Sequence, residues 1–286
     1  MSKFKKIFFF FLALGNAIFI GTFFIENYER FYIVEQPIQT LLKNCENEKV
    51  TKIIHVSWKT NDIPVEFQKY LKSWTDFCYK DWKFMFWTDK DNYNLIKTFY
   101  PWFLKTYNKF PRNIYRVDVS RYFYLFHYGG IYTDLDNECL RPFEHLLQNY
   151  SIVFGAMKGQ YLGTNLKEGY VQNSFMYSRP RQTFWMELLN DILMFNGTDS
   201  VEVQTGPVLL SKSFIIALYR ERLNSSDDMM IYSPNYFNPL SWIIKSKVDP
   251  NCKFHNQMTL ENLKKCKSSM ISTGSYVVQY HAHSWG

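Results

Sequence analysis

Apolar and polar residues alternate in blocks along the chain after about residue 50. Apolar runs of strand length at Lys52–Trp58 and Trp82–Thr88 are each followed by residues with helical spacing, at Pro64–Cys78 and Asp89–Phe99. Asp89 is the predicted N-cap of the second helix. This order predicts buried strands joined by amphipathic helices, because neighbouring parallel strands need a crossover connection.

The same alternation continues in the second half of the chain. Asn113 is expected to cap a long helix that ends at Gly129 and Gly130, since glycine accepts the backbone conformation found after helices. Later strands and helices are predicted at Ile131–Asp136, Ser151–Met157, Val171–Ser178, Gln182–Phe195 and Pro207–Arg222. Together they predict an α/β fold with a mostly parallel sheet, in one domain over residues 50–286.

A separate apolar segment precedes this domain. Ile7–Ile25 has 19 residues and no charge, so as a helix it reaches about 28 Å, close to the roughly 30 Å of a bilayer core. Lysines lie before it and glutamates after it, which favours a cytosolic N-terminus. We therefore predict a tail and transmembrane signal anchor over 1–25 and a polar stem over 26–49. The alternative is a cleaved signal peptide, but no small-residue cleavage site follows the segment.

Sequons and cysteines agree with a folded domain on the lumenal side of the membrane. Acceptor sequons for N-glycosylation occur at Asn149, Asn196 and Asn224, which suit a lumenal surface. With five cysteines at least one is unpaired, and Cys252 and Cys266 could close a loop. The expectation is a single-pass type II protein of the Golgi or ER membrane.

Composition narrows the function classes. The chain is 47% hydrophobic and 19% aromatic, with a net charge of +7, which is ample for a folded core. Its lysines are scattered and form no basic stripe, so we expect no nucleic-acid partner. A mildly basic surface suits anionic partners such as nucleotide diphosphates or lipid headgroups.

The most distinctive chemistry follows the predicted third strand. Asp134 and Asp136 flank Leu135, so on a strand both carboxylates would point to one face. Two close carboxylates favour a cation beside them, and oxygen ligands suit Mg²⁺ or Mn²⁺ bound to substrate phosphates. The glycine pair before the strand is expected to let backbone approach a ligand. The alternative is a polar strand end without a ligand.

A second charged pair lies upstream, in the predicted long helix. Asp118 and Arg121 are three residues apart among apolar residues, so both can face one cleft. The alternative is a surface ion pair, which contributes little to stability.

These motifs together resemble glycosyltransferase family 32, the DXD-motif sugar transferases, from about Val50 to the C-terminus. The resemblance is closest to the catalytic subunits of mannosyl-inositolphosphoceramide synthases and to the initiating α-1,6-mannosyltransferases. The segments that carry it are KIIHVSWKT, FWTD, YPWFL, RVDVSRYFYLFHYGGIYTDLD, TGP and the terminal HAHSWG. The residues NEC that follow Asp136 depart from the closest relatives, which often have a glycine there.

The resemblance implies a GT-A fold, a nucleotide-sugar donor, a divalent metal (Mn²⁺ or Mg²⁺) and retention of anomeric configuration. It implies that Asp136 ligates the metal and that Asp134 reaches the ribose or the metal with its water. Asp118 and Arg121 correspond to residues that hold hydroxyls of the donor sugar. Trp58 corresponds to an aromatic residue that stacks on the base.

Further site residues are implied by weaker parts of the resemblance. Asn173 and Gly206 correspond to residues that line the sugar and acceptor side. The tail is implied to close over the pyrophosphate, with His283 as a possible metal ligand, through residues His281, His283, Ser284 and Trp285.

The resemblance implies transfer of mannose from GDP-mannose to a membrane lipid headgroup such as inositol phosphoceramide. A regulatory subunit is among the expected partners. A glycoprotein glycan acceptor or a UDP-sugar donor is the first alternative. A haloacid-dehalogenase-like phosphatase and a non-catalytic membrane adaptor are the remaining ones. The phosphatase also uses an aspartate pair after an apolar strand but needs a downstream lysine and a second acidic pair, which NSSDDMM does not resemble.

Overall fold

The computed structural model describes residues 50–157, 170–194, 197, 200–224, 228–240, 252 and 259–281. The predicted anchor over 1–25 and the stem over 26–49 lie outside these residues. So do three predicted residues of the C-terminal tail, His283, Ser284 and Trp285.

Two sheets carry the strands of the described residues. Their bounds are β1 Ile53–Ser57, β2 Lys83–Trp87, β3 Gly130–Thr133, β4 Asn137–Cys139, β5 Ile152–Met157, β6 Tyr170–Ser178, β7 Met229–Tyr232 and β8 Val277–Gln279. Six of them form the main sheet in the order β2-β1-β3-β6-β5-β7, and β4 pairs with β8 in a separate ribbon.

The main sheet is mixed, whereas the sequence predicted a mostly parallel one. β1 runs parallel to β2 and β3, and β5 runs parallel to β7. β6 is antiparallel to both of its neighbours, β3 and β5. No helix is predicted between β5 and β6, and consecutive strands without a helical crossover pair antiparallel. The α/β class is therefore confirmed, with a central mixed sheet.

Helices predicted from the sequence form where they were expected. The helices of the described residues are α1 Val65–Lys72, α2 Asp89–Phe99, α3 Leu104–Lys109, α4 Asn113–Tyr128, α5 Thr183–Leu193, α6 Val201–Gln204, α7 Pro207–Asn224, α8 Pro234–Phe237 and α9 Leu260–Ser272. A π-helical segment, Ser73–Cys78, continues α1. The capping predictions were wrong by one residue: Thr88 caps α2 in a capping box with Asp91, and Asn113 is the first helical residue of α4.

Apolar side chains of alternate strand residues form two cores, one on each face of the main sheet. On one face α4, α5 and α7 pack against Tyr132, Phe154 and Met176. On the other, α1 and the β4–β8 ribbon pack with Phe175 and Tyr177. Among the described residues only Val201–Leu218 is long and apolar enough to cross a membrane, and 56% of it is buried in the domain.

Two disulfides tie the second face together. Cys252 pairs with Cys266, as the sequence allowed, and Cys78 pairs with Cys139. The Cys78–Cys139 disulfide joins the end of the π-helical segment to β4. It therefore fixes the π-helical segment beside the strand that follows Asp136. The sequence did not reveal this pairing, because the two cysteines lie 61 positions apart.

The glycine pair after α4 allows a close approach of two strands. Gly129 ends the helix at φ 66°, and Gly130 has φ 97°. A Cβ on Gly130 would lie 2.4 Å from the carbonyl oxygen of Ile53 in β1. The backbone that comes close at Gly130 is therefore that of the neighbouring strand β1. The approach of a ligand at this glycine pair stays a prediction.

His55 is a buried residue of β1 whose neutral state the fold requires. Trp87 donates its indole N–H to Nδ1 at 3.1 Å, so the proton is on Nε2, which lies 2.8 Å from the carbonyl oxygen of Gly129. Burial lowers the pKa of His55 from 6.5 to about 4. A second proton, on Nδ1, would face the Trp87 donor, so this contact favours the neutral imidazole.

Stability should therefore fall in acid. The folded pKa of His55 lies below 6.5, so its contribution is complete above pH 6.5 and is lost as pH falls towards about 4. The full loss is about 3 kcal/mol. Urea unfolding at several pH values should show a shallower loss in His55→Gln, which cannot be protonated, than in the unchanged chain. Equal pH slopes in the two proteins would contradict this assignment.

Candidate functional site

The aspartate pair lies in a turn and not on a strand. β3 ends at Thr133, and the N–H of Asn137 donates to the carbonyl oxygen of Asp134 at 3.1 Å. Asp134 in turn donates its N–H to the carbonyl oxygen of Ser174 in β6 at 2.9 Å. The prediction of strand alternation was therefore wrong at this point: the turn, and not the pleat, positions the two carboxylates around the buried Leu135.

The side chain of Asn137 holds this turn from the inside. Its Nδ2 donates to the carbonyl oxygen of Ser174 at 2.7 Å and to Oγ1 of Thr133 at 3.1 Å. The indole N–H of Trp74 donates to the Asn137 carbonyl oxygen at 3.0 Å. Because these contacts come from β3, β6 and the π-helical segment, the turn is fixed by three separate elements.

Asp118 and Arg121 form a buried ion pair of α4 beside that turn. Nη2 of Arg121 lies 3.0 Å from Oδ1 of Asp118, and both side chains are 5% exposed. Asn173 donates its Nδ2 to Oδ1 of Asp118 at 3.1 Å, and Thr205 donates its hydroxyl to Oδ2 at 3.0 Å. The alternative of a surface ion pair is therefore wrong. We refer to Asp118, Arg121, Asn173 and Thr205 as the polar cradle.

Arg121 connects the polar cradle to the turn. Its Nη1 donates to the carbonyl oxygen of Asn173 at 2.7 Å and lies 3.5 Å from Oδ1 of Asp134. The same Asp134 oxygen accepts the hydroxyl of Tyr132 at 2.7 Å, and the guanidinium lies 4.7 Å above the Tyr132 ring. Asp118 and Asp134, two of the predicted catalytic residues, thus both contact the guanidinium of a third, Arg121.

Burial sets the electrostatics of this group. It raises the pKa of Asp118 to about 7, although Arg121 and the Thr205 hydroxyl favour the carboxylate. It likewise raises the pKa of Asp134 to about 6, against the opposing effect of Arg121 and with an added contribution from Asp136. The three aspartates carry three formal negative charges against the one positive charge of Arg121. A cationic ligand would therefore stabilise their ionised forms.

Asp136 lies on the other side of the turn, 8% exposed. Its carbonyl oxygen accepts the N–H of Tyr280 at 3.0 Å, which brings the C-terminal segment to the turn. His281 follows with φ 50°, and its Nε2 lies 3.2 Å from the carbonyl oxygen of Leu240. The predicted ligand His283 lies outside the described residues.

A divalent cation fits the oxygen donors of this turn. Within the described part of the chain no group of three or more His, Cys, Asp and Glu side chains could hold a metal ion. One or two carboxylates, completed by water and substrate phosphates, are the usual protein contribution for Mg²⁺. Asp134 and Asp136 match that pattern.

Two predicted residues have mainly structural surroundings. Trp58 follows β1, and its backbone N–H donates to the carbonyl oxygen of Trp87 at 3.0 Å. Its ring centroid lies 5.5 Å from that of Phe67. A Cβ at Gly206 would lie 2.8 Å from Cα of Glu202, so this glycine permits the tight junction between α6 and α7.

Some residues of the site were missed in the sequence. Thr205 directly precedes Gly206 in the TGP segment, so the motif was found but its hydroxyl was not assigned. Tyr132 lies in the GGIYTDLD segment that carries the resemblance, but its hydroxyl was not assigned a role. Tyr280 carries no separate sequence signal, since aromatic residues are common throughout this chain. Their contacts depend on strand pairing and on the turn, which sequence spacing does not report.

Comparison with known families identifies a domain around this site. Residues 64–153 match the family described as "Glycosyltransferase sugar-binding region containing DXD motif". The match includes Asp118, Arg121, Asp134 and Asp136. The chain therefore contains a DXD-motif glycosyltransferase domain of family 32, as the sequence motifs predicted. Members of this family generally use a divalent metal.

Several curated relatives are similar to parts of the chain. Mannosyl phosphorylinositol ceramide synthase SUR1 of Saccharomyces cerevisiae is 34% identical over 199 residues, 68% of this chain and 49% of the relative. Inositol phosphoceramide mannosyltransferase 3 of Schizosaccharomyces pombe is 48% identical over 98 residues, 34% of this chain and 27% of the relative. Initiation-specific alpha-1,6-mannosyltransferase of Candida albicans is 31% identical over 115 residues, 38% of this chain and 30% of the relative. The chain spans about half or less of the length of these relatives.

Among solved structures, one described as "PaToxG Glycosyltransferase" covers 89% of this chain and 98% of its own, with 16% identity and a TM-score of 0.41. That similarity is too low to assign a fold.

The buried ion pair predicts a large loss of stability when only one partner is removed. Arg121→Met leaves Asp118 and Asp134 without their shared cation and should cost about 3–5 kcal/mol in the free energy of unfolding. Adding Asp118→Asn should recover part of this loss, since it removes one unpaired carboxylate. Urea unfolding of both single variants and the double variant gives the coupling energy. Additive effects below about 1 kcal/mol, as for exposed pairs, would contradict the buried pairing.

Proposed function

We propose that this chain is a metal-dependent, retaining glycosyltransferase that moves mannose from GDP-mannose to a membrane lipid headgroup such as inositol phosphoceramide. The observation that carries the proposal is the buried Asp118–Arg121 pair placed against Asp134 of the DXD turn, inside the matched family domain. The names of the relatives SUR1 and inositol phosphoceramide mannosyltransferase 3 supply mannose and the lipid acceptor.

The polar cradle suits the hydroxyl groups of a donor sugar. Carboxylate, guanidinium, amide and hydroxyl groups converge there from α4, β6 and the α6–α7 junction. Asp118 has Arg121 and Asn173 at one carboxylate oxygen and Thr205 at the other. A carboxylate held in this way suits orientation of the sugar more than attack on it, and we assign it no role as a nucleophile. Asn173 is half-buried, which leaves its side chain able to reach a ligand.

Asp136, together with Asp134, would hold the divalent ion, with Mn²⁺ or Mg²⁺ as the proposed species. When bound, such an ion neutralises negative charge on a departing diphosphate. Arg121 keeps Asp134 in place through the 3.5 Å contact, while Tyr132 donates to the same oxygen. We further propose a GT-A fold for residues 50–286, with Trp58 on the base, Gly206 on the acceptor side, and His283 and Trp285 of the tail over the pyrophosphate.

The proposed location is the lumenal face of the Golgi or ER membrane, with residues 1–25 as anchor and 26–49 as stem. Disulfides Cys78–Cys139 and Cys252–Cys266 support this location, because such bonds persist in oxidising compartments. The sequon residue Asn149 is exposed, so it is accessible for glycosylation. A regulatory subunit is proposed as a partner of the full protein.

A glycoprotein glycan is the second candidate acceptor. It is favoured by the similarity to the initiation-specific alpha-1,6-mannosyltransferase of Candida albicans. No observation favours a phosphatase, and the family match over residues 64–153 supports the transferase instead.

Removal of one metal ligand should abolish transfer without unfolding the domain. Asp136→Asn keeps the shape of the side chain but removes its charge, so we expect sugar transfer to fall about 100-fold or more. EDTA should act in the same way on the unchanged protein, and added Mn²⁺ should restore the activity. Asp62→Asn, at an exposed aspartate outside the site, is the matched control. Full activity in excess EDTA would contradict a metal-dependent reaction.

The donor and acceptor are tested together with the membrane-bound protein. Labelled GDP-mannose, UDP-galactose and UDP-N-acetylglucosamine are supplied in parallel with membranes that contain inositol phosphoceramide. We expect label from GDP-mannose in an alkali-stable lipid, because sphingolipids survive mild alkali. Label from a UDP-sugar alone, or in glycoprotein alone, would overturn the donor or the acceptor and leave the transferase assignment standing.

A further inference from the structure

The helix that begins the matched domain exposes apolar side chains on its outer face. Val65 at the start of α1 is 77% exposed, and Phe77 in the π-helical segment is 65% exposed. Large apolar side chains this exposed, on one continuous helix, have a free-energy cost in water. The opposite face of the same helix is buried, through Phe67, Tyr70, Trp74 and Cys78.

Helix geometry places these apolar residues on one ridge with two lysines. Val65, Lys69 and Lys72 follow i, i+4 and i+7 spacing, so they lie on one face of α1. Phe77 follows Lys72 by five residues, which is slightly more than one turn of a π-helix, so it lies near the same face. The four side chains, which we call the outer ridge, are all exposed. Glu66 is also exposed but lies to the side of this ridge.

The outer ridge has the composition of a helix that lies in a membrane interface. Apolar side chains enter the boundary between headgroups and acyl chains, while lysines extend to lipid phosphates. The nearest acidic residue on the π-helical segment, Asp76, accepts the hydroxyl of Thr75 at 2.8 Å. Lys69 is exposed, and its Nζ lies 4.9 Å from the centre of the Tyr70 ring.

The inner face of this helix connects the outer ridge to the aspartate turn. Tyr70 stacks on Tyr280 with ring centroids 4.8 Å apart, and the N–H of Tyr280 donates to the carbonyl oxygen of Asp136. The indole N–H of Trp74 donates to the carbonyl oxygen of Asn137, and Cys78 forms a disulfide with Cys139. One helix thus has the site on its inner side and the exposed apolar residues on its outer side.

We propose that the outer ridge, formed by Val65, Lys69, Lys72 and Phe77, docks on the surface of an anionic lipid bilayer and holds the aspartate turn near the headgroups. The alternation of apolar and cationic side chains favours this partner over a second protein, because anionic headgroups and acyl chains together match both kinds of side chain. The proposal rests on the proposed lipid acceptor for its purpose, but membrane contact can be measured without catalysis.

The test uses the full chain in vesicles, with an environment-sensitive fluorophore on a single added cysteine. Cys45→Ser supplies the background, Val65→Cys carries the probe, and Met194→Cys is the matched control, since Met194 is 67% exposed at the end of α5. Vesicles are made of phosphatidylcholine with or without phosphatidylinositol. We expect a blue shift and a several-fold rise in emission at position 65 when phosphatidylinositol is present, and no change at position 194.

Lysine and apolar variants separate the two parts of the contact. Lys69→Gln with Lys72→Gln should remove the dependence on phosphatidylinositol. Phe77→Ser should reduce the emission change at position 65 and lower transfer to a vesicle-bound acceptor several-fold. Transfer to a water-soluble inositol phosphate acceptor should stay unchanged in the same variant.

Two results would overturn the proposal. These are equal emission at position 65 with and without phosphatidylinositol, and an equal change at positions 65 and 194. If no sugar transfer is found but the lipid-dependent shift occurs, the membrane contact stands and the proposed reaction fails.

Discussion

The guanidinium of Arg121 is the group on which the arrangement of the site depends. It reaches a carboxylate of its own helix, a carbonyl oxygen of β6 and a carboxylate of the turn after β3. A buried cation has a high desolvation cost that only charged and hydrogen-bonded partners can offset. The three elements are therefore held in one relative position by the need to satisfy a single side chain.

This constraint explains why the site is polar in a region of aromatic packing. Tyr122 and Phe123 follow Arg121 on α4 and are fully buried, and Tyr122 donates its hydroxyl to the carbonyl oxygen of Thr205 at 2.6 Å. The helix carries its charges into the domain because its remaining faces are apolar. Thr205 consequently reaches Asp118 through a backbone that the core itself anchors.

Sequence patterns predicted the elements well where the periodicity was local. The strand at Ile53–Ser57 and the helices α4 and α7 lie close to their predicted bounds, because each depends on spacing within a short segment. The aspartate turn was misjudged, since its shape comes from Ser174 and Asn137, and Ser174 is far away in the sequence. The same limit applies to Thr205, whose role depends on a contact across 87 positions. The sequence predicted which charged residues lie together, but not the distant residues that hydrogen-bond to them.

The disulfide Cys78–Cys139 gives the domain a closed covalent ring. Asp118, Arg121, Asp134 and Asp136 all lie within this ring, whereas Asn173 and Thr205 lie outside it. Closing a loop with a sequence separation of 61 restricts the unfolded chain by about 4 kcal/mol in the chain-entropy description. The charged groups of the site therefore remain tethered to one another even when the C-terminal strands separate. Partial opening of this domain would remove the neutral partners Asn173 and Thr205 from Asp118, while Arg121 stays on the same loop as Asp118 and Asp134.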